Sequence, residues 1–124
     1  DEWMSRLKNQ QGEIIYWTSA DNEIGAFIFV MQRGVDPLQQ HIWIAGCDKK
    51  FRRMGVMTKL FEFAEQHKRA QGIRTLTVNT YPDKFVNMPA FLESRQFQHC
   101  YTTKAVPDSP HFNLGDKFSY VKEI

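Results

Sequence analysis

The residues whose types and spacing could do chemistry lie in one stretch, His41–Leu60, which reads HIWIAGCDKKFRRMGVMTKL. A strand-forming run, His41–Cys47, gives way to a basic loop with Lys49, Lys50, Arg52 and Arg53. Gly55 follows, and an amphipathic helical pattern starts at once. A helix N-terminus presents N–H groups that have no intrahelical acceptor, together with the positive end of the helix dipole. A glycine at that point lets the backbone come close to an anion, and four cations raise the local potential. The combination is that of a phosphate or pyrophosphate cradle. A plain strand-to-helix turn with solvated cations would use the same residues. Neither Gly-x-Gly-x-x-Gly nor Gly-x-x-x-x-Gly-Lys-Ser/Thr occurs, which argues against dinucleotide and P-loop nucleotide sites.

The flanking elements must hold this stretch in place. Trp3, Met4 and Leu7 give Trp3–Asn9 a weak helical spacing. Ile14–Thr18 and Ile24–Gln32 read as a hairpin around the turn residues Ala20-Asp21-Asn22, with the second strand apolar enough to be buried on both faces. In His41–Cys47 the alternation puts His41, Trp43 and Ala45 on one face and Ile42 and Ile44 on the other. Val56, Leu60, Phe63, Ala64 and His67 mark the inward stripe of the helix, which Gly72 ends. Thr75–Thr80 alternates as a strand, so strand, helix and strand make one right-handed βαβ unit. Asn87 and Pro89 open a short helix. Phe97–Thr103 and Phe118–Lys122 read as strands around a proline-containing loop, Val106–Gly115. The expectation is one α/β domain over residues 1–124 with a mixed sheet.

Composition bounds the partners. The chain has 124 residues, 16 Lys and Arg against 14 Asp and Glu, and a net charge of +2. That balance demands neither nucleic acid nor an anionic membrane, and no apolar run approaches the ~20 residues of a membrane span. The two cysteines, Cys47 and Cys100, form no metal-ligand pattern and read as free thiols of a reducing compartment, hence a cytoplasmic protein. The sequence starts at Asp1 rather than Met, so whether the N-terminus is complete is left open.

The stretch Arg52-Arg53-Met54-Gly55-Val56-Met57 resembles a motif of the GNAT superfamily of acetyl-CoA-dependent N-acetyltransferases. That family carries Arg/Gln-x-x-Gly-x-Gly/Ala between its fourth strand and third helix. Met57 stands where the family has a small residue, which would set the backbone slightly further from a pyrophosphate. Downstream, Leu92-Glu93-Ser94-Arg95-Gln96-Phe97 is similar to the family's Tyr-Glu-Lys-x-Gly-Phe. Glu93 and Phe97 agree, and Leu92 and Gln96 replace Tyr and Gly. The order of elements agrees over the whole chain, although the family's usual first strand and first helix have no counterpart before Asp1.

The resemblance implies a mostly antiparallel central sheet with a βαβ core and splayed strands. It implies acetyl-CoA as cosubstrate and an amine, of a small molecule or a protein, as acceptor. The pyrophosphate would lie on the N–H groups of Arg53, Met54, Gly55, Val56, Met57 and Thr58, beside Arg52. The pantetheine arm would pair with the strand edge near Ala45 and Cys47. Gly46 suits a bulge in that edge.

Acetylation needs a neutral amine, so an alkylammonium must lose a proton. In the histone-acetylating branch of the family, a Glu six residues before the position of Cys47 is the base, and counting back six reaches His41. An imidazole suits this role near neutral pH; a plain strand-start histidine is the bland alternative. The family's general-acid Tyr is here Leu92, which leaves Tyr81 and Tyr101 as candidate acids, each also readable as a packed aromatic. A thiolate is a tolerable leaving group without any acid. Two other classes compete with the acetyltransferase: a CoA-binding or sensing module without catalysis, and a nucleic-acid-binding domain using Lys49–Arg53. The acceptor is not legible, and a homodimer is left open.

Overall fold

The computed structural model describes residues 1–124. It contains three α-helices and six strands. They are α1 (Glu2–Asn9), β1 (Glu13–Thr18), β2 (Ile24–Gln32), β3 (Gln39–Cys47), α2 (Val56–Ala70), β4 (Thr75–Thr80), α3 (Met88–Ser94), β5 (Gln98–Thr103) and β6 (Lys117–Glu123). The six strands form a mixed, mostly antiparallel sheet in the order β1-β2-β3-β4-β6-β5. Two compact units can be distinguished, residues 1–76 with Ile124, and residues 77–123.

In the first unit β2 pairs antiparallel with β1 and with β3, and Ile28, Phe29, Val30 and Met31 are all buried. Four successive buried residues require cover on both sides of β2, as its unbroken apolar run predicts. One side is covered by α2. Its inward stripe is Val56, Leu60, Phe61, Ala64, Glu65 and Lys68, which follows i, i+4, i+5, i+8, i+9, i+12. The expectation placed Phe63 in this stripe. It is 57% exposed, with its ring stacked on His67, and Phe61 takes the core position instead. The stripe turned because it includes two charged residues, Glu65 and Lys68, that a search for apolar periodicity passes over.

Lys68 is 2% exposed, and its ammonium reaches Glu13 Oε1 at 2.7 Å and Gln71 Oε1 at 3.2 Å. His67 Nε2 lies 2.9 Å from the other carboxylate oxygen of Glu13. Glu13 sits opposite Val30, on the side of the sheet that α2 covers. The network therefore clamps the end of α2 to the start of β1. The other side of β2 carries an aromatic cluster under α1. The Trp3 ring lies 5.1 Å from Phe29 and 5.4 Å from Trp43, and the Arg6 guanidinium lies 4.1 Å over Trp43.

In the second unit β5 pairs antiparallel with β6, with a register shift between His99 and Tyr101. Leu92 of α3 is 0% exposed. Just beyond α3, Gln96 has φ +70°, the left-handed region that costs any residue with a Cβ roughly 1–2 kcal/mol.

Burial pushes the Glu13 carboxyl up, but its hydrogen bonds and attraction to Lys68 and His67 outweigh this and hold it below the ordinary carboxylate value. A lowered folded-state value contributes stability above the unfolded value, and that stability is lost as pH falls through the folded one. Glu13→Gln should therefore cost roughly 2 kcal/mol at pH 7, a figure discounted because Glu13 is partly exposed. The deficit should shrink as Glu13 itself becomes protonated in acid. Urea unfolding of both proteins at pH 7 and at pH 3.5 checks this; an equal deficit at both would show that charge is not the cause.

Candidate functional site

The structure bends β3 in a way the alternation did not indicate. Ala45 lies opposite Ile28 and Ile44 opposite Phe29; the register then shifts, so that Ile42 lies opposite Val30 and His41 opposite Met31. Trp43 is the extra residue of a β-bulge. Directly opposed residues share a face of the sheet. Ala45 and Ile42 therefore share the face of Ile28 and Val30, while His41 and Ile44 share that of Phe29 and Met31. The expected common face of His41, Trp43 and Ala45 does not exist, because the bulge reverses the parity between them. The expected bulge at Gly46 is also absent. Gly46 pairs with Phe27, and a Cβ there would stand 2.8 Å from the Phe27 ring, so its small size makes room for an aromatic edge.

Beyond Cys47 the loop is firmly held. The Asp48 N–H donates to the Gly25 carbonyl at 2.8 Å. The Asp48 carboxylate accepts from the Lys50 N–H at 2.9 Å, capping a short 3-10 turn, Lys49–Phe51. The Phe51 ring meets Trp17 edge-on at 5.1 Å. Gly25 is required for that contact, since a Cβ there would come within 2.6 Å of Phe51 and 2.7 Å of Trp17. Lys50 is paired with Glu23 at 2.7 Å. Arg52 Nε donates to the Cys47 carbonyl at 3.1 Å, fastening the loop to the end of β3.

Two residues then take positive φ, Arg53 at +63° and Gly55 at +73°. Gly55 is the N-cap of α2, and no side chain caps the helix. Its carbonyl accepts from the Lys59 N–H at 3.1 Å, the first bond of the helix. The N–H groups of Val56, Met57 and Thr58 therefore point forward without intrahelical acceptors. A Cβ on Gly55 would meet nothing within 4 Å, so the space beside the cap is open. An anion with several oxygens fits this arrangement. Dipole, free N–H groups and the exposed Arg53 all favour negative charge.

Ala45, Cys47 and Arg52–Thr58 all fall in the first unit, on β3, the loop and the first turn of α2. Cys47 is half-buried; burial pushes its thiol up, Arg52 partly offsets this and Asp48 adds to it. A thiol held above its ordinary value is a poor nucleophile at neutral pH. His41 is 4% exposed, and Arg33 Nη1 lies 2.9 Å from its Nε2. Tyr81 and Tyr101 belong to the second unit. Tyr81 is half-buried with its ring 6.4 Å from that of His111, and Tyr101 is 62% exposed on β5. Sequence reasoning missed Arg33, Glu23 and Asp48 as partners. Only Asp48, an acidic residue two before the amide it caps, carried a local signal. The other two depend on strand register. No cluster of three or more His, Cys, Asp or Glu is placed to hold a metal ion, and no helix is long and apolar enough to cross a membrane.

The chain belongs to the acetyltransferase (GNAT) family, whose model matches residues 1–97. Solved acetyltransferases share its fold. An IAA acetyltransferase from Bacillus cereus superposes with a TM-score of 0.80 at 14% identity, over 99% of this chain and 81% of that one. The ribosomal-protein-S18-alanine N-acetyltransferase of Escherichia coli gives 0.77 at 15% identity, over 99% and 76%. A GNAT family acetyltransferase from Elizabethkingia anophelis, solved with acetyl-CoA bound, gives 0.77 at 14% identity, over 100% and 80%. No curated protein matches the sequence.

The cap geometry predicts a stability effect. Gly55→Ala adds a methyl group that clashes with nothing, so its cost is that of the left-handed backbone alone, about 1 kcal/mol. A chemical-denaturation difference of that size is expected. A neutral substitution would mean that the turn relaxes out of the left-handed region.

Proposed function

We propose that this protein transfers an acetyl group from acetyl-CoA to an amine, with the glycine-capped start of α2 as the seat of the CoA pyrophosphate. The observation that carries the reading is the open, uncapped helix N-terminus at Gly55. It lies in a chain of the GNAT family and shares its fold with an acetyltransferase solved with acetyl-CoA bound. The N–H groups of Val56, Met57 and Thr58 supply hydrogen bonds to the phosphate oxygens. Arg53 supplies charge, and Arg52 holds the loop in place through the Cys47 carbonyl. The β3 residues Ala45 and Cys47 run alongside the extended arm of the cosubstrate, which would pair with backbone as an added strand.

The acetyl group passes directly to the amine. A Cys47 thiol kept protonated by burial is unsuited to carry it. His41 is the proposed base, and it works through an intervening water, because the bulge at Trp43 turns its ring off the face that carries Ala45. Tyr81 and Tyr101 are the proposed sources of a proton for the departing thiolate. The acceptor is an amine of a small molecule or a protein, and a homodimer is compatible with this reading.

Binding is tested by melting. At about 100 times its dissociation constant a ligand of the native state adds roughly 2.7 kcal/mol, which for a chain of this size raises Tm by about 10 °C. Millimolar CoA should produce that rise, and Gly55→Glu should remove it by placing a carboxylate where phosphate belongs. A wild-type Tm indifferent to CoA overturns the cosubstrate assignment.

Catalysis is tested with an amine that the protein acetylates. His41→Gln should lower kcat by about 10²–10⁴-fold, the usual worth of a general base, with the CoA-induced rise in Tm unchanged. A variant within about threefold of wild type from pH 6 to 9 would make His41 a structural residue of β3.

A further inference from the structure

The geometry points to Arg33 as the positioning residue of His41: its guanidinium fixes which ring nitrogen carries the proton and holds the other as an acceptor. The proposal rests on the reading of His41 as the base, but its core, the protonation pattern of the ring, can be measured without turnover.

Arg33 follows directly on the last residue of β2, and His41 is the third residue of β3. The register brings them together, since Gln32 pairs with Gln40 and Met31 with His41. Arg33 Nη1 then reaches His41 Nε2 at 2.9 Å. A guanidinium has donors only and stays protonated in proteins. At this distance Nε2 must therefore be the acceptor, and a ring whose Nε2 accepts is neutral and carries its proton on Nδ1. Of the two tautomers, only one is compatible with the contact.

Two consequences follow. The imidazole is held in the deprotonated form that a base requires. Its Nε2 lone pair is also occupied, so it takes a proton there only when the guanidinium withdraws. Arg33 lies exposed at the start of the connection between β2 and β3, and Gly34 beside it has φ +85°, with nothing within 4 Å of where a Cβ would stand. The arginine can therefore swing outward without unpacking the core. The lone pair becomes available by a side-chain movement at the surface, while the buried ring stays in place.

The test reads the ring directly. The long-range ¹H–¹⁵N NMR spectrum of the histidine side chains is recorded at pH 7.5, with the His41 signals assigned by their absence in His41→Gln. Wild type should show Nδ1 protonated and Nε2 unprotonated. Arg33→Met, a surface change that leaves the fold intact by circular dichroism, should lose this bias. Arg33→Lys, which keeps a cationic donor, should restore it in part. A wild-type ring protonated on Nε2, or the same Nδ1–H pattern in Arg33→Met, overturns the proposal. If the protein proves not to acetylate any amine, the tautomer result still stands. If the tautomer result fails, the CoA-dependent melting shift is untouched, so the two failures are distinguishable. With a working amine, Arg33→Met should change kcat at least tenfold while leaving the KM for acetyl-CoA within twofold; an unchanged kcat would make Arg33 irrelevant to the reaction and also overturn the proposal.

Discussion

A helix that begins on a glycine in the left-handed region has no side chain to satisfy its first N–H groups, and α2 begins in this way at Gly55. Three donors are left without intrahelical acceptors, and water or an anion is suited to them. The surrounding structure serves to keep this arrangement fixed. Val56, Leu60, Phe61 and Ala64 bury the body of the helix against the sheet. Lys68 and Glu13 lock its far end to β1. Trp17, Phe51 and Gly25 hold the loop that leads into it. An anion site made of backbone is only as good as the rigidity of that backbone, so the packing that stabilises α2 also shapes the site.

The local signals of this site were readable in the sequence, and the non-local ones were not. The bounds of α2 and β4 follow from periodicity and from Gly55 and Gly72, each within a few residues of the boundary it marks. The bulge at Trp43 depends on how β3 meets β2, and nothing within His41–Cys47 marks it: the alternation there is regular, and the misfit appears only against Phe29 and Val30. Gly46 looked like the flexible point because a glycine inside a strand often marks a bulge. Its reason for being glycine lies on the neighbouring strand, in the ring of Phe27. Phe63 was misplaced for a related reason, since the inward stripe ends in a lysine whose burial depends on a glutamate 55 positions away. In each case the missing information was the identity of a partner far along the chain.

The two faces of β2 and β3 carry different kinds of stabilisation, and this separates the elements of the proposed chemistry. The face under α2 is aliphatic, with Ile28, Val30, Ile42 and Ala45, and is closed by the Glu13–Lys68 pair. The face under α1 is aromatic and cationic, with Phe29, Trp43, Trp3 and Arg6, and it also carries His41. A strand that alternated regularly would have kept His41 in line with Ala45. By inserting Trp43, the chain gives the histidine a different neighbourhood from Ala45 and Cys47, the residues proposed to border the cosubstrate arm. It also places His41 within reach of Arg33.

The cations of the loop divide in the same way between support and binding. Lys50 is engaged by Glu23 and Arg52 by the carbonyl of Cys47, so two of the four positive charges hold the loop together. An exposed ion pair such as Lys50–Glu23 contributes little to stability by itself, yet it fixes where the loop runs. What remains for a negatively charged ligand is the dipole end of α2, the forward N–H groups, the exposed Lys49 and Arg53, which itself accepts a left-handed backbone to stand there. A non-glycine residue at φ +63° is strained by roughly 1–2 kcal/mol. That strain sits two residues before a glycine that has none, and the two left-handed residues together make the turn that leads into α2. In the proposed cradle, affinity for an anion therefore rests mainly on backbone direction. Removing a single loop cation should weaken the site far less than changing the turn that aims the helix.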